Sequence, residues 1–523
     1  MKINNLFFSL GILISVHLNA QNIYDALEYT ESNTSGTARF NAMSGAFSAL
    51  GGDISSIFSN PAGSAVFNNN NFSFSLSSNN YSNESIILET SEKKSKNNFG
   101  FDQIGGAIIY NNIDPDSKWK KIVFALNYNK TKNYNNIFGV NNFNNENSID
   151  SYFLSNSENL RLDQISAYDD ESISQAYAEI GSYFGYAHQQ AFLGYYSYIL
   201  EPNEYIDDNV LYSSNIPAGN FSQSVGSFTR GSNGVFSVNF GFQYDKNLFL
   251  GINLNSHVID RENTYLFNES NENNSTSSIN VNNVYFENRL STYGEGFSFQ
   301  LGLINKISDI LRLGISYQSP TWFEISEESS QYIETIVTES DNQRLEIVNP
   351  NVINIFEDYK INTPSKLTAS LAIVFKNLGL ISFDYSNENY QNLKFKPEND
   401  FYFSGLNNAI STSLSNVNTY RVGTEILANK FSFRMGYFTK NSPFSSSFSS
   451  ANNIIGSTDG FSFGIGYKMK FSSFDFSVQK IGINKKRNLF DTGLTDYLHI
   501  ENNKTLVSLS FSTVFWKYII FSG

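Results

Sequence analysis

From about residue 70 onward, apolar and polar side chains alternate in segments of roughly ten residues, with turn-forming residues between segments. Phe461, Phe463, Ile465 and Tyr467 alternate with Ser462, Gly464, Gly466 and Lys468. Phe236, Val238, Phe240, Phe242 and Tyr244 alternate in the same way with Ser237, Asn239, Gly241 and Gln243. Successive side chains of a strand point to opposite faces, so each such segment predicts a strand with one greasy and one small or polar face. The pattern predicts about fourteen strands, near 70–79, 102–111, 120–130, 233–244, 248–259, 294–306, 310–320, 364–376, 379–388, 417–427, 431–440, 460–469, 472–482 and 503–515. Their connections alternate between short (245–247, 308–309, 377–378, 429–430 and the break after Lys470) and long (80–101, 131–232, 260–293, 321–363, 389–416, 441–459 and 483–502). A β-sandwich has no reason to sort its loops by parity. A transmembrane antiparallel β-barrel does, with short periplasmic turns and long extracellular loops.

Hydrocarbon cannot hydrate a free strand edge, so the first and last strands are expected to pair. An even strand count then puts both ends of the barrel on the side of the short turns. Aromatics make up 15% of the chain, with 47 Phe and 31 Tyr, which suits a barrel that turns rings toward lipid and gathers them at its interfaces. At the start, Lys2 precedes an apolar run from Leu6 to Val16, and Ala20 offers a cleavage site. Residues 1–20 are therefore expected to be a secretory signal peptide. The chain has no cysteine, which excludes disulfides, lipoprotein attachment and thiol chemistry. Its net charge of −14 argues against nucleic acid as a partner.

Residues 21–69 do not alternate. Small residues dominate 44–52, Asp53 is placed to cap a short helix from Ile54 to Phe58, and Asn60-Pro61-Ala62-Gly63 supplies turn chemistry. A barrel of fourteen strands has a lumen wide enough to leak, and a compact segment of this length is expected to plug it. The runs Thr37-Ala38-Arg39-Phe40, Met43-Ser44-Gly45-Ala46-Phe47, Gly51-Gly52-Asp53 and Asn60-Pro61-Ala62-Gly63 resemble the N-terminal hatch of FadL-like outer-membrane transporters. Blocks at 296–318, 378–385 and 420–437, followed by Ser442-Pro443, resemble the same family.

The resemblance implies a hatch (21–69) inside a fourteen-stranded barrel (70–515). It implies passive movement of hydrophobic compounds, notably long-chain fatty acids, across the bacterial outer membrane. Substrate would be captured by outer loops, pass into a pocket and leave sideways through the wall, with the hatch as gate. On this reading Gly51, Gly52, Asp53, Asn60, Pro61, Ala62 and Gly63 are the gating residues, although Asn-Pro is also ordinary turn chemistry. Such barrels usually finish on an aromatic residue met by the barrel-assembly machinery. Phe515 would serve, but residues 516–523 extend past it.

The second long loop looks helical from Ser172 to Leu200 and is rich in rings. Tyr183, Phe184, Tyr186, Phe192, Tyr195 and Tyr196 read either as a surface that captures a lipophilic substrate or as the loop's own core. His188 among them is the best axial-ligand candidate for a haem receptor. The acidic clusters Asp114/Asp116, Asp169-Asp170-Glu171 and Asp207-Asp208 lack calcium-loop spacing and read as solvated loop acids. No hydrolase elbow, zincin helix or P-loop is present, so no enzyme, cofactor or metal is expected, with a serine beside His257 or His499 as the remaining catalytic alternative. The expected surroundings are outer-membrane lipid and lipopolysaccharide, with hydrophobic small molecules as ligands and the chain as a monomer. A scaffold holding secreted proteins at the cell surface is the alternative use of the same fold.

Overall fold

The computed structural model describes residues 22–31, 35–273, 275, 277–340, 342–448, 454–515 and 519–521. The signal-peptide reading of residues 1–20 lies outside them. The strands close into a fourteen-stranded antiparallel barrel: β1 Asn71–Ile87, β2 Thr90–Asn112, β3 Trp119–Asn133, β4 Phe221–Tyr244, β5 Leu248–Ser270, β6 Ile279–Lys306, β7 Leu311–Gln318, β8 Lys366–Phe375, β9 Gly379–Asn389, β10 Asn416–Ala428, β11 Phe431–Lys440, β12 Ile454–Lys468, β13 Ser472–Asn488 and β14 Tyr497–Val514. Closure is made by β1 against β14, in register from Asn71↔Val514 to Ile86↔His499. The short turns lie where the alternation predicts them. In the two-residue turn after β10, Asn429 takes the left-handed conformation (φ 55°) that asparagine tolerates.

Four of the expected long loops are instead strand. Residues 80–101, 260–293, 321–363 and 483–502 largely continue the barrel upward. The β1–β2 hairpin turns only at Leu88 and Glu89, and β6 runs for 28 residues, about 90 Å at the usual rise, whereas ten or so tilted residues cross a bilayer. Two strands pause at a proline as they leave the apolar zone: β7 resumes as Trp322–Glu339 after Pro320, and Tyr359–Asn362 leads into β8 past Pro364. Proline cannot donate to the ladder, and the backbones bridge there through Thr321 and Thr363.

The extension was hidden because its polarity is reversed. Low on β5, Leu250, Ile252 and Leu254 face out while Gly251, Asn253 and Asn255 face in. Higher on the same strand Ile259, Tyr265 and Phe267 are buried inside, and Asp260 and Asn268 are exposed outside. Over the inward apolar rows sits a helical cap from the β3–β4 connection, made of the helices Asp150–Ser157, Ile173–Phe184 and Tyr186–Tyr196. Its rings share one core with Phe267, Val284, Phe286 and Phe490. An amide network fixes it to the wall, with Tyr177 donating to Gln331 (2.6 Å) and Gln190 bonded to the same side chain (2.8 Å). Beyond Phe515, residues 519–521 pair in parallel with the lower end of β2, and the rest of 516–523 lies outside the described residues.

Candidate functional site: a seated hatch, a lumenal cavity and an interrupted wall

Residues 23–31 and 35–67 fill the lumen. After the first hatch helix, Ile23–Thr30, a short helix Ala38–Ala42 and two 3₁₀ turns, Ile54–Phe58 and Pro61–Val66, form the body. Asp53 caps the first 3₁₀ turn, accepting from the Ser55 amide (2.9 Å), and also accepts from the Thr37 hydroxyl (2.9 Å), which itself caps Ala38–Ala42. One carboxylate thus ties two turns together. Asn60 caps the second turn at the Ala62 amide (3.0 Å), where Pro61 suits the first helical position. Its amide nitrogen donates to the Ser48 carbonyl (2.7 Å) and the Leu303 carbonyl of β6 (3.0 Å), so it stitches the hatch to the wall. Gly51 (φ 61°) lies so close to Gly63 and Val66 that a Cβ would stand 2.6 Å from the Val66 side chain.

The wall is shaped to receive this body. Gly241, Gly251, Gly302 and Gly314 on β4 to β7, and Gly423, Gly436 and Gly464 on β10 to β12, face the hatch. A Cβ on Gly251 would stand 2.2 Å from the Pro61 carbonyl carbon, and one on Gly436 would stand 2.4 Å from that of Met43. Side chains are left out so that two backbones can touch. Below, Arg39 clasps Glu425 of β10 through two hydrogen bonds (3.0 and 3.1 Å), and Arg434 links Glu425 (2.5 Å) to Asp475 (2.6 Å). All four ions have a partner, as burial requires.

The hatch helix Ile23–Thr30 stands apart, high in the lumen. Glu28 pairs with Lys132 (2.8 Å) and Lys485, Glu31 with Lys132 (3.2 Å), and Tyr29 donates to Glu327 (2.8 Å). Burial alone would raise the Glu28 carboxyl; Lys132 and then Lys485 outweigh it and hold the group well below the usual carboxylate range.

Between this helix, the hatch body and the wall lies a cavity of about 160 Å³. Phe58, Val235, Ile259 and Phe323 line one side, and Lys366, Asp384, Glu388 and Arg421 another. Beside the cavity the wall is interrupted. The β2–β3 ladder ends at Gln103↔Asn129; above it β2 pairs only with β1, while the continuation of β3, Asn136–Asn144, pairs only with β4. Among the described residues the two edges meet there only through side chains, such as Asn98 on the Asn135 carbonyl (2.8 Å). Asn129 and Ser35, bonded to each other at this edge (2.6 Å), both line the cavity.

All seven hatch residues singled out in the sequence therefore belong to one body. The six loop aromatics divide. Tyr183 and Phe184 are exposed, Phe192 is fully buried in the cap core, Tyr186 bonds to Tyr152 (3.2 Å), and Tyr195 and Tyr196 pack against one another. His188 is half-buried and stacks on Phe184 (5.0 Å). The ionic clasp escaped the sequence reading, although one clue was present. The two-residue turn 429–430 places Glu425 directly opposite Arg434, both on the inward side of greasy strands.

No protein-family model matches the sequence, and no curated protein sequence matches it. Solved structures do. The Pseudomonas putida toluene transporter TodX superposes with a TM-score of 0.50 at 14% identity, covering 92% of this chain and 99% of that one. A deletion mutant of the TodX monoaromatic hydrocarbon channel gives 0.50 at 13% identity over the same shares. A Pseudomonas aeruginosa FadL homologue gives 0.49 at 11%, covering 93% and 98%. At such identity the likeness to TodX establishes a shared fold and no more.

Proposed function

We propose that this chain is a passive, non-enzymatic transporter of hydrophobic compounds in the bacterial outer membrane, with long-chain fatty acids as the first substrates to test. The observation that carries the reading is the placement of the lumenal cavity: bounded by the seated hatch and bordered, at Asn129 and Ser35, by an interruption of the wall's hydrogen-bond ladder. Asn129 and Ser35 border both the cavity and this interruption, which begins level with the outer edge of the apolar belt and is the proposed sideways exit for a greasy molecule. The toluene and monoaromatic hydrocarbons named for the similar structures are compounds of the same class. Tyr183 and Phe184 are the exposed rings of the cap and the candidates for first capture. In this reading the hatch helix Ile23–Thr30 is the element that moves, because the glycine seat and the ionic clasp hold the body. Asn60, Pro61 and their neighbours keep that body in place.

The test is uptake of a labelled long-chain fatty acid by cells lacking their own transporter. The cells would express either this protein or the Asn60→Ala/Pro61→Ala variant at matched barrel abundance. Uptake by the parent and loss in the variant are expected. No uptake from a correctly assembled parent barrel refutes the fatty-acid reading. The firmly docked cap favours a second reading, a surface scaffold for secreted proteins, which predicts stoichiometric co-purification of a secreted protein that cap removal abolishes.

A further inference from the structure

The cavity is unlike a grease-lined slot, and its polar atoms have a consistent bias. Three side chains lining it, Asn129, Asn233 and Asp384, are each more than nine-tenths buried. In each, one oxygen finds no donor in the protein: Oδ1 in all three. Two of the orientations are constrained. Asn129 spends its amide nitrogen on the Ser35 carbonyl (2.6 Å), and Asp384 uses its other oxygen on the Ser48 amide (3.1 Å) and hydroxyl (2.7 Å). A buried acceptor left without a donor is unfavourable, so three of them around one cavity call for a molecule that donates. Phe323 and Ile259 supply an apolar part of the same lining.

Resting on the transport reading of this cavity, we propose that its preferred ligands are hydrophobic compounds with a hydroxyl at one end, an alcohol or phenol, rather than bare hydrocarbons. The hydroxyl donates to one of these oxygens while the apolar body lies against Phe323 and Ile259. A site built around hydrogen bonding discriminates strongly against an analogue that lacks the donor, because the acceptor is then left bare.

The pair 4-methylphenol and toluene, which differ by a single hydroxyl, tests this. Binding of each to the purified full-length barrel in detergent would be measured by calorimetry, with uptake of both followed in cells expressing the protein. About tenfold tighter binding of 4-methylphenol is expected, the effect of one added hydrogen bond. Asp384→Asn keeps an oxygen for Ser48 and turns the free acceptor into a donor; Asn233→Leu removes its acceptor outright. At least one of them is expected to bring the preference below about threefold while toluene binding holds, with barrel folding checked by heat-modifiability on gels. Equal affinities for the two compounds, with uptake intact, overturn the hydroxyl preference and leave the transporter. A preference unchanged in both variants also overturns it. Absence of binding and of uptake for both compounds also overturns the hydroxyl preference, and the transport reading falls with it only if labelled long-chain fatty acid is not taken up either.

Discussion

The lower and upper halves of the barrel are built from the same strands by the same alternation, with opposite outcomes. On β6, Phe297 and Leu301 face outward in the lower half, each nearly half exposed. Two to seventeen residues away along the same strand Glu295, Arg289 and Glu287 hold the outward positions, and Val284 and Phe286 are buried inside. Below, the outer solvent is apolar, and the inner face is pared to Gly, Ser and Asn so that the hatch can approach. Above, water lies outside, and the inner face becomes an ordinary hydrophobic core shared with the cap. The place where the polarity crosses over, near His257–Ile259 on β5, marks the outer edge of the apolar belt. The strand itself does not change there; its two environments exchange places.

The sharpest way to break this contrast is to add a side chain where the lower half requires none. A Cβ on Gly302 would lie 2.0 Å from the Asn60 side-chain oxygen, so Gly302→Val is expected to unseat the hatch and give a leaky lumen, read as raised single-channel conductance. Gly482→Val, where the nearest atom would be 3.8 Å away, should leave conductance unchanged. Next in size, Phe286→Ala opens a cavity in the upper core and is expected to cost about 3–5 kcal/mol, seen as earlier proteolysis of the cap with the lower barrel still folded. The outer faces offer a paired test on a single strand. Leu301→Arg places a charge in the belt at a cost of about 2–4 kcal/mol near mid-membrane, whereas Glu295→Arg should stay within about 0.5 kcal/mol, both measured by denaturant unfolding in lipid vesicles.

The smallest effect is a pH dependence of the cap. Glu269, at the upper end of β5, accepts from Ser148 (2.5 Å), Gln223 (2.8 Å) and the Ile149 amide (3.1 Å). Burial nevertheless pushes its carboxyl up to about 7. The folded form then holds a proton that the unfolded chain has already released. Cap stability is expected to be fullest below about pH 4.5 and to fall as pH rises through 7, by no more than about 3 kcal/mol. Protease protection of the cap between pH 5 and 8 reads this slope, and Glu269→Gln should flatten it.

Much of the lower half was legible because its physics is local. Phe431, Phe433 and Met435 alternate with Ser432 and Arg434 whatever else the chain does, and a two-residue turn such as 429–430 dictates the pairing beside it. Asp53 and Asn60 could be assigned as caps because a cap reaches only two or three residues. The upper half resisted because strands such as residues 80–101 are Asn- and Ser-rich on both faces. Their inward groups bond to other segments, as Asn83 does to Asn136 (2.7 Å), and no greasy face remains to show the period.

Composition and alternation alone were enough to specify a barrel, its strand number, the side of its short turns and a compact plug, since each follows from neighbours a few residues apart and from the need to satisfy backbone groups in hydrocarbon. Everything that makes the lumen a site needed the closed fold. Arg39 meets Glu425 across 386 positions of sequence, and the glycines become a seat only when seven of them surround the hatch. The free oxygens of Asn129, Asn233 and Asp384 become one cavity's lining only when strands far apart in the chain are brought to the same lumen. A strand pattern records which face a residue takes, but closure of the barrel decides what that face meets.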